Sequence, residues 1–336
     1  MTIHLNEMTE NKSCAKPESG IKILTDIEIG QCPTWSSNTD LFRSSAKAGL
    51  INRLGHLYRY CQDYDVVIIA NIKLAQMFGF LKTVLRRKKP VLIILELMLD
   101  ESRDSILWKI KKFFQRVCFY SAEVIFVSSK REVATYAERL ALPQSRIRFL
   151  PFHTNVTEPK IIREAGTYIF SAGRTGRDYA TLAAAVDGLD VNVVVVSDRN
   201  NVRGITFPEN VQVLCDIPYS QYMELLCGSR LVVVPLKRRL KSTGQVVFLE
   251  AMGLGKPVIA TLTVGTEDYI EDGVTGVLVP PSDPLALRDA IRNFLLDPKT
   301  YESMAEKAAA QIKERHTFEV YTRTILSEAE RVLQAR

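Results

Sequence analysis

The residues best suited to chemistry gather in the stretch 242–261, STGQVVFLEAMGLGKPVIAT. Gly244 and Gln245 stand where an apolar helix begins, so their backbone N–H groups have no partner inside that helix. Free N–H groups and the positive end of the helix dipole attract an anion, and Gly244 has no side chain to obstruct it. Glu250 lies within the same apolar run, a carboxylate able to accept two hydroxyls; the alternative is a structural glutamate paired with a neighbouring cation. Upstream, Gly173, Arg174 and Arg177 follow the run TYIFSAG. Each arginine is a permanently charged fork matched to phosphate oxygens. Arg177 has a second reading, in which it pairs with Asp178 or solvates a turn. The run PLKRRLKSTG (235–244) reads as a solvated loop from which Lys241, by proximity, reaches the same anion. Glu96 closes the strand-like run PVLIILE and admits two readings, a catalytic or acceptor-orienting carboxylate and a satisfied structural one.

These residues need a scaffold that brings strand ends and helix starts together, and the chain supplies two series of alternating strand and helix patterns. Strands are expected at 21–27, 65–71, 90–97, 123–129 and 146–152, with helices over 40–61, 73–87, 104–121 and 131–141. The second half repeats the pattern, with strands at 167–173, 191–197, 211–217, 230–236, 257–261 and 276–280. Its helices fall at 178–187, 219–228, 245–254, 283–296 and 300–335, the last interrupted near His316 and Thr317. Such alternation predicts an α/β chain of two Rossmann-like domains, their parallel sheets facing a central cleft. The expected division is a disordered tail at 1–20, an amino-terminal domain at 21–153, a linker at 154–166, a second domain at 167–316, and a helix at 317–336 that packs back on the first domain.

The run from Ser242 to Asp283, together with YIFSAGRTGRDYATLAAAV, resembles the donor-binding half of glycosyltransferase family 4, whose fold is GT-B. The likeness covers about residues 167–297; the amino-terminal half matches only in its order of elements. It implies a nucleotide-diphosphate-sugar donor used as substrate, with no cofactor and no metal, and retention of anomeric configuration. By the same resemblance the diphosphate sits at Gly244 and Gln245, and Glu250 takes the ribose hydroxyls. The family arginine after the glycine is Arg174, and Arg177 takes the place of a lysine in a shortened loop. One departure stands out. A family glutamate that contacts donor-sugar hydroxyls falls at Ser242, which hydrogen-bonds without charge and with shorter reach. That replacement motivates the other reading of the chain, a non-catalytic GT-B subunit that binds nucleotide or glycan and supports a partner enzyme. The segment GTEDY (265–269) is expected to face the nucleotide pocket.

Composition narrows the classes. At 336 residues, 46% hydrophobic and 24% charged, the chain has the balance of a globular protein with substantial cores. No apolar run reaches the ~18 residues that span a bilayer. The six cysteines show no metal-ligand spacing and fit a reducing compartment, so the expected location is the cytoplasm. The only Asp-x-Asp match, DYD (63–65), leads straight into a strand and reads as a turn. Of the four histidines, His153 is expected to be structural. Charge is uneven: residues 72–150 hold 16 Lys/Arg against 7 Asp/Glu. A nucleic-acid partner is not expected, for no aromatic-basic stacking platform is visible. The segment 104–121 places Ile106, Ile110, Phe113, Phe114 and Val117 on one face and Lys109, Lys112 and Arg116 opposite, with Trp108 and Phe119 on the basic side. With RRKK (86–89) this basic side suits an anionic membrane at the inner leaflet and a glycan or lipid-linked acceptor in cell-surface polysaccharide or glycolipid assembly. The alternative is a covering helix whose basic face is merely wet.

Overall fold

The structure, a computed structural model, describes residues 20–29, 32–43, 49–99, 105–162 and 166–336. The tail expected at 1–20 lies outside the described residues except for Gly20. The first sheet is built from β1 (Ile23–Thr25), β2 (Asp40–Leu41), β3 (Val66–Ile69), β4 (Val91–Ile94), β5 (Ala122–Val127) and β6 (Ile147–Phe149). The second contains β7 (Tyr168–Ala172), β8 (Asn192–Ser197), β9 (Val211–Cys215), β10 (Leu231–Val234), β11 (Val258–Thr261) and β12 (Val277–Val279). Every pairing between named strands is parallel. Strands such as VVII and VLII are buried along their whole length, the pattern of a sheet covered on both faces.

The helices of the first half are α1 (Pro33–Asn38), α2 (Leu50–Tyr60), α3 (Ile72–Val84), α4 (Ile106–Phe119) and α5 (Lys130–Leu140). Those of the second are α6 (Tyr179–Val186), α7 (Arg199–Val202), α8 (Tyr219–Cys227), α9 (Gln245–Gly253), α10 (Pro284–Leu296), α11 (Pro298–Arg315) and α12 (Phe318–Gln334). The single helix expected over 40–61 is not formed: Asp40 and Leu41 pair as β2 with β1, and the helix begins only at Leu50. Pro33, well placed in a first helical turn, starts a separate short helix instead. The break expected near His316 separates α11 from α12, whose Tyr321, Ile325 and Ala329 are buried in the core of the first domain. Arg148 clamps that return by an ion pair to Glu328 at 2.9 Å. Burial pushes the His153 imidazole down to about 4, and the ring is wedged between Phe152, Phe318 and Tyr321.

In α4 the basic side stays at least partly exposed as expected, but the apolar face is exposed as well. Phe119, predicted on the basic side, is fully buried with Cys118, whereas Ile106, Ile110 and Phe113 are 75%, 61% and 68% exposed. The cause is a close approach by α3: a Cβ on Gly79 would lie 2.0 Å from the Cys118 carbonyl oxygen, so only glycine admits this contact. Thr83 Oγ1 then donates to the Val117 carbonyl at 3.1 Å, which fixes the rotation of α4 about its axis.

Candidate functional site

The order of the second sheet, β12-β11-β10-β7-β8-β9, puts β7 beside β10 although the chain leaves them in opposite directions. Their carboxyl ends therefore border the crevice of a topological switch point, where open α/β sheets bind ligands. The loop after β7 and the loop after β10 meet there. Lys237 N–H donates to the Gly176 carbonyl at 2.8 Å, and Asp178 N–H to the Pro235 carbonyl at 3.0 Å. Gly176 packs on Thr243, the residue before Gly244. The loop that begins at Gly173 and Arg174 is thereby joined to the loop that leads into Gly244.

Within the β7 loop the two arginines have different fates. Arg174 is exposed and lies 3.9 Å from Asp216. Arg177 is buried, its Nε donating to the Ala172 carbonyl at 2.7 Å and its Nη1 to Thr175 at 2.9 Å. Its guanidinium fills the space a Cβ on Gly173 would occupy, and burial lowers its pKa from the ordinary value. Its described bonds buttress the loop from beneath, and none goes to Asp178. Asp178 caps α6 instead.

Gly244 is the N-cap of α9, in a left-handed conformation at φ 103. No side chain caps this helix and no acidic residue lies in its first turn, so its first N–H groups lack a cap of their own. Lys241 is half-buried beside it. Ser242 and Gln245 are buried and bonded to each other through Nε2 and Oγ. Glu250, one turn further along, is fully buried and already engaged. Asn155 Nδ2 and the Tyr219 hydroxyl donate to Oε1 at 2.9 and 3.0 Å, and the Tyr222 hydroxyl to Oε2 at 2.5 Å. Burial raises its pKa, and these three donors pull it back. Its partners are neutral hydroxyls and an amide, not the cation of the structural alternative. Tyr219 stacks on Tyr222 at 5.6 Å and is half exposed, so it stands between Glu250 and solvent.

The segment GTEDY borders the site through Gly265, which packs against Ser242 Oγ, and its later residues have a further role. They form the seam between the domains: Asp268 Oδ2 accepts Lys130 N–H at 3.0 Å, and the Tyr269 hydroxyl donates to the Ser128 carbonyl at 2.6 Å. These contacts engage the amino end of α5, and topology alone does not reveal which domain a loop faces. Glu132 in the first turn of α5 completes the seam by accepting Ser242 N–H at 2.9 Å. Glu96 follows β4 in a left-handed conformation, φ 51, unusual for a residue with a side chain. Its Oε1 accepts the Tyr321 hydroxyl at 2.9 Å, and burial raises its pKa. The DYD turn sits at the amino end of β3, away from the cleft.

The structure thus brings Gly173, Arg174, Lys241, Ser242, Gly244 and Gln245 to one edge of the second sheet, with Glu250 a turn deeper. Glu96 belongs to the first domain. Sequence reasoning passed over Asn155, Tyr219, Tyr222 and Glu132. Two tyrosines three apart at the start of a helix following a strand, PYSQYMEL, were a readable sign; Asn155 in an irregular segment carried none.

Residues 202–311 match the family described as Glycosyl transferases group 1. Over 79 residues the chain is 42% identical to the alpha-D-kanosaminyltransferase of Streptomyces kanamyceticus, covering 24% of this chain and 20% of that protein. The D-rhamnosyltransferase WbpZ of Pseudomonas aeruginosa is 28% identical over 153 residues, 45% of this chain and 38% of its own length. The chain therefore spans well under half the length of these curated relatives. Among solved structures, Anabaena HepE in complex with UDP-glucose superposes with a TM-score of 0.68 at 15% identity, covering 94% of this chain and 100% of that one. Sucrose-phosphate synthase from Thermosynechococcus elongatus gives 0.68 at 18% identity, covering 92% and 84%. At such identities the likeness establishes architecture: the fold is GT-B.

Proposed function

We propose that this chain is a glycosyltransferase that moves a hexosyl unit from a nucleotide-diphosphate-sugar to a glycan or lipid-linked acceptor, without a metal and with retention of configuration. The observation that carries this reading is the uncapped amino end of α9 at Gly244, open beside the loop that bears Arg174. A diphosphate placed there meets unpaired N–H groups, the helix dipole, Arg174 and Lys241. Arg177 holds the loop in shape from below. Ribose hydroxyls reach Glu250 by taking the place of Tyr219, whose ring is already half in solvent. Glu96 orients the acceptor, and Ser242 meets the transferred sugar. Catalysis in such a site rests on preorganised charge around the leaving diphosphate and exclusion of water. A solved neighbour with this architecture is described in complex with UDP-glucose, and the curated relatives transfer kanosaminyl and rhamnosyl groups.

An acceptor in cell-surface polysaccharide or glycolipid assembly, met on the inner face of a membrane, is supported by the outer surface of the first domain. Ile106, Ile110, Phe113 and Phe114 of α4 are exposed alongside Val84 and Leu85, and Phe80 of α3 touches Phe114 at 5.5 Å between ring centres. Residues 72–89 and 105–120, which contain these side chains, hold ten Lys/Arg and no Asp/Glu. An apolar patch in a basic setting suits an anionic headgroup layer, where each basic residue adds about 1 kcal/mol. No described helix is long and apolar enough to cross a membrane. Flotation with phosphatidylglycerol vesicles should carry the protein, and the double variant I110E/F113E should stay behind; equal behaviour of both would remove the membrane from the proposal.

A second reading, a non-catalytic subunit, is favoured by one observation: all three donors around Glu250 already occupy its carboxylate. Thermal-shift and turnover measurements over UDP, GDP and ADP sugars separate the two. Stabilisation by one nucleotide, lost in Glu250→Ala, together with transfer or slow hydrolysis, is the result expected of the enzyme. Binding without turnover across the panel with lipid-linked acceptors present points to the subunit.

A further inference from the structure

We infer that Glu132, carried by the amino-terminal domain, is a specificity-determining residue that accepts hydrogen bonds from hydroxyls of the transferred sugar, in place of the carboxylate absent at Ser242. This rests on the donor site proposed above and adds the contribution of the other domain to it.

Glu132 stands three residues after Ser129, the N-cap of α5. In that position a glutamate ordinarily reaches back to the N-cap amide and closes a capping box. Here the carboxylate reaches across the seam, and Oε1 accepts the N–H of Ser242 from the second domain. The other oxygen, Oε2, is buried and has no hydrogen-bond partner. Among the described residues only three buried side-chain polar atoms share that condition, and Glu132 supplies the only carboxylate oxygen. A buried acceptor without a donor is costly.

The surroundings indicate what kind of donor is missing. Ser242, Gln245 and Ser128 converge on the same point, with Gln245 Nε2 bonded to Ser242 Oγ and within 3.5 Å of Ser128 Oγ. Gln245 is the first residue of α9, so this polar group begins where the proposed diphosphate ends. A sugar linked to that diphosphate, entering as the seam opens at Ser242, presents vicinal hydroxyls to Oε2. Hydroxyls are the fitting partner because they donate to a carboxylate and accept from it when it is protonated. A basic ligand group is disfavoured by Lys130 and Arg131 in the same helical turn.

The test compares affinities of the full chain for UDP and UDP-glucose, and for GDP and GDP-mannose, by calorimetry, using whichever pair binds. Glu132→Gln should weaken the intact nucleotide-sugar roughly tenfold or more, as expected when a site built to bond a hydroxyl loses its acceptor, and leave the bare nucleoside diphosphate within about twofold. The exchange variant E132S/S242E should recover most of the lost sugar affinity. Denaturation midpoints report whether each variant folds, and Glu132→Asp serves as a second variant if Gln does not. Equal weakening of sugar and bare diphosphate, or no weakening of either, overturns the inference and leaves the diphosphate site standing. Failure of the unmodified chain to bind any of the four overturns the donor site as well.

Discussion

Two helix starts face each other across the seam, and they are finished in opposite ways. At the amino end of α5, Ser129 Oγ accepts Arg131 N–H at 3.2 Å, Asp268 Oδ2 accepts Lys130 N–H at 3.0 Å, and Glu132 lies in the first turn. At the amino end of α9 there is a left-handed glycine, no side-chain cap and no acid. Both helices present the same partial positive charge. One is satisfied by the protein's own acceptors, borrowed in part from the other domain; the second has no side-chain cap, and the proposed diphosphate site rests on it. The contrast sets a structural terminus against the one proposed to bind the donor.

The largest effect that tests the contrast comes from closing the open terminus. Gly244→Ala puts a Cβ 3.2 Å from Leu236 and 3.3 Å from Phe248 at a backbone angle that L-residues avoid. The strain is about 1–2 kcal/mol, and the first turn of α9 must shift to relieve it. Nucleoside diphosphate affinity should fall at least about tenfold, the equivalent of 1.4 kcal/mol, read by calorimetry. Undiminished affinity would place the anion elsewhere and erase the distinction between the two helix starts.

A smaller effect comes from pH. Burial raises the Glu132 carboxyl from 4.5 to about 7, with a further push from Asp268 and against the pull of the Ser242 N–H that Oε1 accepts. A group whose folded-state value lies above its unfolded one binds its proton more tightly in the native protein. Its stabilising contribution is therefore complete below the unfolded value and is lost as pH rises through the folded one. Chemical denaturation at pH 5 and pH 8 should show the unmodified chain losing on the order of 1–3 kcal/mol more than Glu132→Gln over that interval. Parallel losses in both proteins would mean that Glu132 is solvated and that the seam is open in solution.

Much of the architecture was legible because it depends on short-range pattern. Runs such as VVII and VLII, short and rich in β-branched residues, read as covered strands, and GQVVFLEAMG shows a glycine at a helix start with one acid in an apolar helix. What could not be read depends on partners far apart in the chain. Glu132 meets Ser242 across 110 positions and Glu250 meets Tyr222 across 28, so neither pair leaves a local signature. The orientation of α4 failed for a related reason. Both of its faces carry aromatic side chains, and the choice between them is made by Gly79 on a different helix, whose missing Cβ admits the Cys118 carbonyl. Arg177 shows the limit of residue type as a guide: an arginine beside a phosphate loop is equally able to hold the loop together, and here it donates to two carbonyls.

The smallest effect concerns the satisfied terminus, and it separates charge from hydrogen bonding there. Asp268 gives α5 an acceptor for Lys130 N–H and a negative charge, with Lys130 Nζ a further 3.9 Å contact. Asp268→Asn keeps an oxygen for the amide and removes the charge, so it should cost about 0.3–1 kcal/mol, less in high salt. Asp268→Ala removes both and should cost about 1 kcal/mol or somewhat more, like the loss of any N-terminal cap. Urea midpoints at low and high salt measure the two increments. Because the anion proposed for α9 is not bound at α5, neither variant should change nucleoside diphosphate affinity by more than about twofold, under 0.5 kcal/mol on the affinity scale. A gain in phosphate affinity on neutralising Asp268 would show that α5 was an anion site held shut by the second domain. The two helix starts would then differ only in which of them the domain contact covers.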